Sequence, residues 1–392
     1  MAVPAARHSL STPALPMRFD RHEAAGAVAD VGVLVPIAAA LIIKNGLAAT
    51  AVLLPAALLY IAVAFAFRLP IPVQPLKAFG AIAIAMGLGA SEIAAGSLMM
   101  GAIFLALGAT GLIDVAGRAF PRPLIRGVQL TVGLLFLKIA WGLAWDAPSS
   151  FADATADPVV LVALTLVVLG AAFALRRHLI ALVLVLVGLA IALARAGSDL
   201  KLGPSAIPLP DFDAAVFASA LVALVIPQLP LTFANSCLAT ADAARGYFGE
   251  RAERVRPGRL AMSLGAANLF AGGIAGMPVC HGAGGLTAHE RFGARTGGAP
   301  LMMGIALLVL ALGVGAGLAA LLTGFPLPIL AGLLAAAGLL HIGLLRDLQG
   351  WKAWTIALVV GGIGFGFNLA VGLAVGLALW WVPVAVQRLR SR

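Results

Sequence analysis

Apolar residues run along this chain in stretches of about twenty, separated by short clusters of Arg, Pro, Gly and Asp. A helix needs about 20 mostly apolar residues to cross the hydrocarbon core of a bilayer. The pattern predicts twelve such segments, near 24–43, 47–67, 92–113, 124–143, 158–175, 179–195, 213–240, 258–275, 299–322, 326–345, 352–367 and 369–386. Two further apolar segments, 70–89 and 277–291, open on Pro-rich or Gly-rich breaks. These read as discontinuous spans, each a short extended stretch followed by a half-helix. The expected fold is an all-α polytopic membrane protein with fourteen transmembrane segments. Long apolar runs without strict alternation argue against a β-barrel.

Charge placement tests the count. With the N-terminus in the cytoplasm, 21 of the 26 Lys and Arg residues fall in inside loops and tails, among them Arg7, Arg68, Arg118, Arg176, Arg177, Arg251, Arg295 and Arg392. Lys44, Arg195 and Lys201 fall outside, while Lys77 and Lys138 lie within spans. The outside loop 145–157 carries Asp146, Asp153 and Asp157 and no basic residue. This is the positive-inside asymmetry, and it holds if both discontinuous segments cross. It accounts for the net charge of +10 by topology, so no nucleic-acid partner is expected. Trp141, Trp145, Trp351, Trp354, Trp380 and Trp381 sit at predicted span ends, where interfacial belts form.

Composition agrees: 62% of residues are hydrophobic and 11% charged, against about 45–50% and about 25% in soluble domains. Cys237 and Cys280 lie in apolar stretches and suggest no disulfide framework. No apolar core precedes a small-residue cleavage site near the N-terminus, so no cleaved signal peptide is expected.

The tetrapeptide Ile71-Pro72-Val73-Gln74 recurs as Met277-Pro278-Val279-Cys280, 206 residues later, and each copy opens the third span of its half. Seven spans per half make the halves inverted. The expected organisation is a cytoplasmic tail over 1–22, a first repeat over 23–202, a second over 203–387 and a basic cytoplasmic tail over 388–392. Pro70 and Pro72 predict extended backbone to Gln74, then helix over 75–89; the second copy predicts extended backbone over 277–281 and a short helix from Gly282 to Arg291. In inverted halves, the two half-helix N-termini meet near the midplane, each with free N–H donors and about half a positive charge. Such a pair is an anion site, and Lys77 adds a formal charge to it.

Gln228, Thr232 and Asn235 share one face of the proline-bearing eighth span, and Asp30 is a carboxylate within the first. Asp30 is a candidate for coupling to a proton or cation; pairing with Lys77 is its plainer reading, as interhelical hydrogen bonding is for the polar stripe. Lys138 reads as snorkelling, Asp114 and Arg118 as a surface pair, Glu92 as a helix start and His341 as satisfied locally. His289-Glu290 lacks the second His of a zinc motif. Adjacent Cys280 and His281 have no orienting third group, so no catalytic residue, metal or cofactor is expected.

Three segments then carry a resemblance. Pro72-Val73-Gln74-Pro75-Leu76-Lys77-Ala78, Pro227-Gln228-Leu229-Pro230-Leu231-Thr232 with Asn235-Ser236, and Met277-Pro278-Val279-Cys280-His281-Gly282-Ala283-Gly284-Gly285-Leu286 resemble the molybdate transporters related to the sulfate-permease superfamily. Arg291-Phe292-Gly293-Ala294-Arg295-Thr296-Gly297 also matches. The resemblance implies a core domain of spans 1–4 and 8–11, a gate domain of spans 5–7 and 12–14, and elevator-like transport of molybdate. Its fold relatives often form homodimers, and the soluble C-terminal domain of many sulfate permeases is expected to be missing. Ala29-Asp30-Val31-Gly32 stands where the family tends to have Gly-Asp-Leu-Gly.

The reading is a secondary transporter, not an enzyme, importing a tetrahedral oxyanion in a bacterial inner membrane with both termini cytoplasmic. Gln74, Lys77, Gln228, Asn235, Cys280, His281, Gly282, Ala283, Gly284 and Gly285 would contact the anion. Asp30 and Glu290 are the coupling candidates. Sulfate or another anion is the alternative substrate; a nucleobase–cation symporter, an anion channel and an intramembrane enzyme are the other readings.

Overall fold

In the computed structural model, residues 16–113, 115, 120–174, 179–196 and 201–390 are described. Arg7, Asp114, Arg118, Arg176, Arg177 and Arg392 lie outside the described residues. The elements are α1 (Arg21–Ile43), α2 (Ala49–Phe67), β1 (Gln74–Pro75), α3 (Lys77–Met86), α4 (Ala90–Thr110), α5 (Arg122–Trp145), α6 (Pro158–Ala174), α7 (Leu179–Ala196) and α8 (Ala214–Ala252). There follow α9 (Pro257–Gly273), β2 (Val279–Cys280), α10 (Ala283–Arg291), α11 (Gly298–Gly313), α12 (Gly315–Thr323), α13 (Leu327–Gly343), α14 (Trp351–Gly366) and α15 (Leu369–Arg390).

The fold is an all-helical polytopic membrane fold. Among the described residues, seven helices are long and apolar enough to cross a bilayer, and α11 with α12 makes an eighth if that bent pair is one span. Shorter apolar helices occupy Lys77–Met86, Pro158–Ala171, Val183–Ala196 and Trp351–Gly366. Prolines at the first turns of α5, α9 and α13 start helices where a missing N–H costs nothing.

Two expectations need correction, and one proline-bearing span departs from regular α-helix. The helix expected over 75–89 is ten residues long, Lys77–Met86, because Gly87 takes a left-handed conformation (φ 64°) and ends it. At about 1.5 Å per residue it is about 15 Å long, half the hydrocarbon core and close to its counterpart α10. The span expected over 299–322 is bent by 91° between α11 and α12. The backbone of Gly203 enters that break: its N–H donates to Gly313 O and its carbonyl accepts from Ala316 N, both at 2.8 Å. The eighth span is not a plain helix: π-helical turns at Leu221–Val225 and Thr232–Ala239 flank Pro227 and Pro230, whose missing N–H groups shift the hydrogen-bond ladder.

Helices pack closely through small residues. α4 lies along α9, α11 along α2, α13 along α5 and α6, and α14 along α5 and α15. In the first seam, a Cβ on Gly265 would stand 2.5 Å from Leu105 N, and one on Gly272 2.8 Å from Leu98 N. From the other side, a Cβ on Gly101 would stand 2.6 Å from Leu269 N. These positions repeat every seven residues along both helices, so the two backbones touch along one stripe. In the α5–α13 seam, Gly133 and Gly338 face each other, each Cβ position 2.7 Å from the other's carbonyl oxygen.

Two further positions are placed by the structure. His341 Nδ1 donates to Ala337 O at 2.8 Å. Lys138 is exposed, and Trp141 and Trp145 stack with centroids 5.4 Å apart on the outside of the bundle.

The seam sets the first prediction. Gly265→Leu forces α4 and α9 apart and lowers stability by about 1–3 kcal/mol. Gly273→Ala, where nothing lies within 4 Å, leaves it unchanged or slightly raised. Thermal midpoints of detergent-solubilised protein, read by fluorescence-detected size exclusion, test the contrast; equal midpoints refute it.

Candidate functional site

Two breaks in the helical pattern build the site. α2 ends at Arg68 (φ 52°), and Ala275 (φ 50°) follows the end of α9; both are non-glycine residues in the left-handed region, each turning the chain into an extended stretch. A side chain there costs about 1–2 kcal/mol, so the packed context holds both turns in place. The extended stretches meet as an antiparallel pair, Gln74 opposite Cys280 and Pro75 opposite Val279. Leu76 N adds a further bond to Pro278 O at 3.1 Å.

Polar side chains satisfy what this short ladder leaves open. Asn268, fully buried on α9, donates from Nδ2 to Val279 O (3.0 Å) and accepts from Val279 N at Oδ1 (2.7 Å), as a neighbouring strand would. His281 donates from Nδ1 to Pro72 O at 2.8 Å, and its Nε2 lies 2.9 Å from Ser263 Oγ. The Cys280 thiol donates to Pro75 O at 3.4 Å. Cys280 and His281 are thus buried and bonded to the partner strand's backbone.

Because the strands are antiparallel and a helix follows each within three residues, α3 and α10 leave the pair in opposite directions with their N-termini beside it. Lys77 and Ala78 carry the first N–H groups of α3; Ala283, Gly284 and Gly285 carry those of α10. None of these has an acceptor within its own helix. Phe79 N, the next donor of α3, is capped by Gln228 Oε1 at 3.0 Å, and Gln228 Nε2 donates to Thr232 Oγ1 at 3.0 Å. Gln228 is therefore spent on α3 and on its own helix.

Gln74 joins the two ends. Its Oε1 accepts from Lys77 Nζ, and its Nε2 donates to Asp30 Oδ1. A Cβ on Gly282 would stand 2.8 Å from Gln74 Oε1 and 3.4 Å from Asn235 Nδ2; one on Gly285 would stand 2.6 Å from Gln74 Nε2 and 2.8 Å from Asp30 Oδ1. Glycine at these positions lets the start of α10 close on the amide. A Cβ on Gly284 would meet no atom of the described residues within 4 Å, and Gly284 is exposed, while Lys77, Asn235 and Ala283 are half-buried. The open face of the site consists of these four residues.

Behind them lies a closed polar cluster. Asp30 is 1% exposed and accepts from Gln74, from Tyr60 Oη (2.9 Å) and from His289 Nε2 (2.9 Å). Its partner is thus not Lys77, which stands one amide further on. Glu290 is not part of this cluster: it pairs with Arg295 Nη2 at 2.8 Å. His289 and Tyr60 were missed in the sequence, lying 259 and 30 residues from Asp30. For His289 a signal existed: Gly282, Gly285, Leu286 and His289 are spaced as one helix face, and that face meets Gln74 and Asp30. A second buried carboxylate, Glu23, was also missed. It accepts from Arg295 N and Thr296 N (both 2.9 Å) and from Ala299 N (3.1 Å), anchoring α1 to the start of α11.

Comparison with known proteins places this arrangement. The family described as "Molybdate transporter of MFS superfamily" matches residues 22–136 and 220–340. "Molybdate transporter 2" of Arabidopsis thaliana is 30% identical over 402 residues, covering 91% of this chain and 86% of that protein. "Molybdate transporter 1" of Chlamydomonas reinhardtii is 28% identical, covering 91% of this chain and 90% of that protein. Among solved structures, the transmembrane domain of the cyanobacterial bicarbonate transporter BicA matches with a TM-score of 0.61 at 19% identity, covering 93% of this chain and 98% of that one. SLC26A9 matches with a TM-score of 0.66 at 15% identity, covering 93% of this chain and 65% of that one, and these two likenesses are of fold. The chain is an integral membrane protein and belongs to the molybdate transporter family.

Proposed function

We propose that this protein is a secondary active transporter that imports a tetrahedral oxyanion, molybdate foremost, held between the N-termini of α3 and α10. The observation that carries this reading is the β1–β2 pair, followed within three residues by the starts of α3 and α10, with Gln74 against both Lys77 and Gly282. Lys77 Nζ, the Asn235 amide and the N–H groups of Ala283 and Gly284 donate to the anion's oxygens. Gln74 orients Lys77, and Gln228, Cys280 and His281 hold the backbone around the site. A lone lysine in a bilayer costs about 2.5–3.5 kcal/mol, a cost offset by a bound anion. The family and the names of the relatives support molybdate over sulfate and the other anions.

The fourteen segments form two inverted repeats of seven in this reading. A two-fold axis through the Gln74–Cys280 pair, residues 206 apart, gives the observed antiparallel register. The seams obey the same exchange: α4 on α9 answers α11 on α2, and α14 on α5 answers α13 on α6. The most extensive contacts fall either within segments 1–4 and 8–11 or within segments 5–7 and 12–14. This division supports a core that moves as one body against a gate, and the arginine distribution supports both termini in the cytoplasm.

Lys77→Ala removes a charge-assisted hydrogen bond and weakens molybdate binding roughly 10–100-fold. Uptake of labelled molybdate into cells, with competition by sulfate and tungstate, measures this. Unchanged affinity sinks the site. Gly285→Ala displaces Gln74 from Asp30 and abolishes uptake while the protein still purifies as a monodisperse peak; wild-type uptake by this variant would separate the amide from function.

A further inference from the structure

One ring nitrogen in the closed cluster is unexplained by the transport site. His289 is fully buried, its Nε2 is engaged by Asp30, and its Nδ1 has no hydrogen-bond partner among the described residues. Asp30 already accepts from Tyr60 Oη and Gln74 Nε2, so three donors converge on it and it acts as a carboxylate. Nε2 then carries the hydrogen toward Asp30, and Nδ1 of the neutral ring is a bare lone pair with no donor. A buried acceptor left in this state calls for a function.

The charge count of the cluster supplies one. The titratable groups facing the pair among the described residues are Tyr60 from α2, Cys280 from β2 and, through Gln74, Lys77 from α3; Glu290, next along α10, is turned to Arg295. With His289 neutral, Lys77 and Asp30 cancel, and a divalent oxyanion enters a site of no net formal charge. One proton on Nδ1 makes the cluster monopositive. The chain Lys77, Gln74, Asp30, His289 is continuous, so a charge added at its far end acts on the anion's lysine across a single amide and a single carboxylate.

We propose that His289 Nδ1 is the binding site of a co-transported proton, linked to the anion through Asp30 and Gln74. The step is a proton addition: H⁺ from water bonds to the Nδ1 lone pair, Nε2–H stays on Asp30, and no other bond changes. Linkage is reciprocal, so proton binding tightens the anion and the anion tightens the proton by the same factor. This inference rests on the transport reading, since it needs the anion at Lys77.

The test is molybdate affinity of the purified protein between about pH 6 and about pH 8. Wild type binds more weakly as pH rises, by up to about tenfold per unit for one linked proton. His289→Gln keeps an N–H for Asp30 but has no second basic nitrogen; its affinity is flat across this range, and an inward proton gradient no longer drives its uptake. A His289→Gln slope equal to that of wild type overturns the proton site and leaves the transport reading standing. Absence of oxyanion binding by wild type at every pH overturns both. If the variant does not purify, protons taken up when molybdate is added to weakly buffered wild type decide the matter: a measurable fraction of a proton per anion supports the site, and none refutes it.

Discussion

Extended backbone inside a bilayer must find every hydrogen bond within the protein, because the surrounding lipid offers none and each unmet group costs several kcal/mol. Everything distinctive here follows from how that demand is met at two broken spans. The β1 and β2 stretches pair with each other, Leu76 N extends the pair to Pro278 O, Asn268 takes the place of an absent strand at Val279, and His281 reaches back to Pro72 O. Once the strands satisfy one another, the helices that follow must start at the same place. Converging N-termini are therefore a consequence of backbone accounting, and the lysine, the asparagine and the glycines are placed by it.

The amide of Gln74 turns this geometry into polarity. Its two ends face opposite charges, the carbonyl toward the Lys77 ammonium and the NH2 toward the Asp30 carboxylate. Rotating the amide would set like against like at both ends. The orientation is thus fixed by charge before any ligand arrives, which is the preorganisation that an ion site in a low-dielectric setting needs. The proton proposed for His289 would act on a chain whose direction is already set.

What the sequence made legible were the features with a local cause. Pro70 and Pro72, two residues apart, and Pro278 beside Gly276 disfavour helix, so the two breaks could be placed, and Lys77 and the 282–285 glycines with them. What it concealed were features decided by distant partners. Hydropathy runs on past Gly87, and the helix ends there in a structure where Asn45 Nδ2 donates to both Ala83 O and Leu88 O at 2.9 Å. The 91° bend after Gly313 depends on Gly203, over a hundred residues earlier, exchanging backbone bonds with it. Asp30 reads in isolation as the natural counter-ion of Lys77. Folding instead sets Gln74 between them and brings His289 from 259 residues away, a choice that apolar periodicity does not encode.

The provenance of the site residues bears on movement. Asp30, Tyr60, Gln74, Lys77, Asn235, Asn268 and His289 all come from α1, α2, α3, α8, α9 and α10 or from the strand pair they flank. None comes from α5, α6, α7, α13, α14 or α15. The seams that bring backbones into direct contact, such as Gly265 on Leu105 and Gly304 on Ala57, lie inside the first set, and the Gly133–Gly338 contact lies inside the second. Backbone contact of this kind cannot slide without a clash, whereas side-chain contact between the sets can. A binding site borne wholly by one tightly seamed body, beside another held together in the same way, can be carried across the membrane without altering its own geometry. That is the mechanical requirement of an elevator, and under the proposed transport cycle it ties the glycine seams to the chemistry of the half-helices: the seams would keep the proposed ion site rigid while its surroundings change.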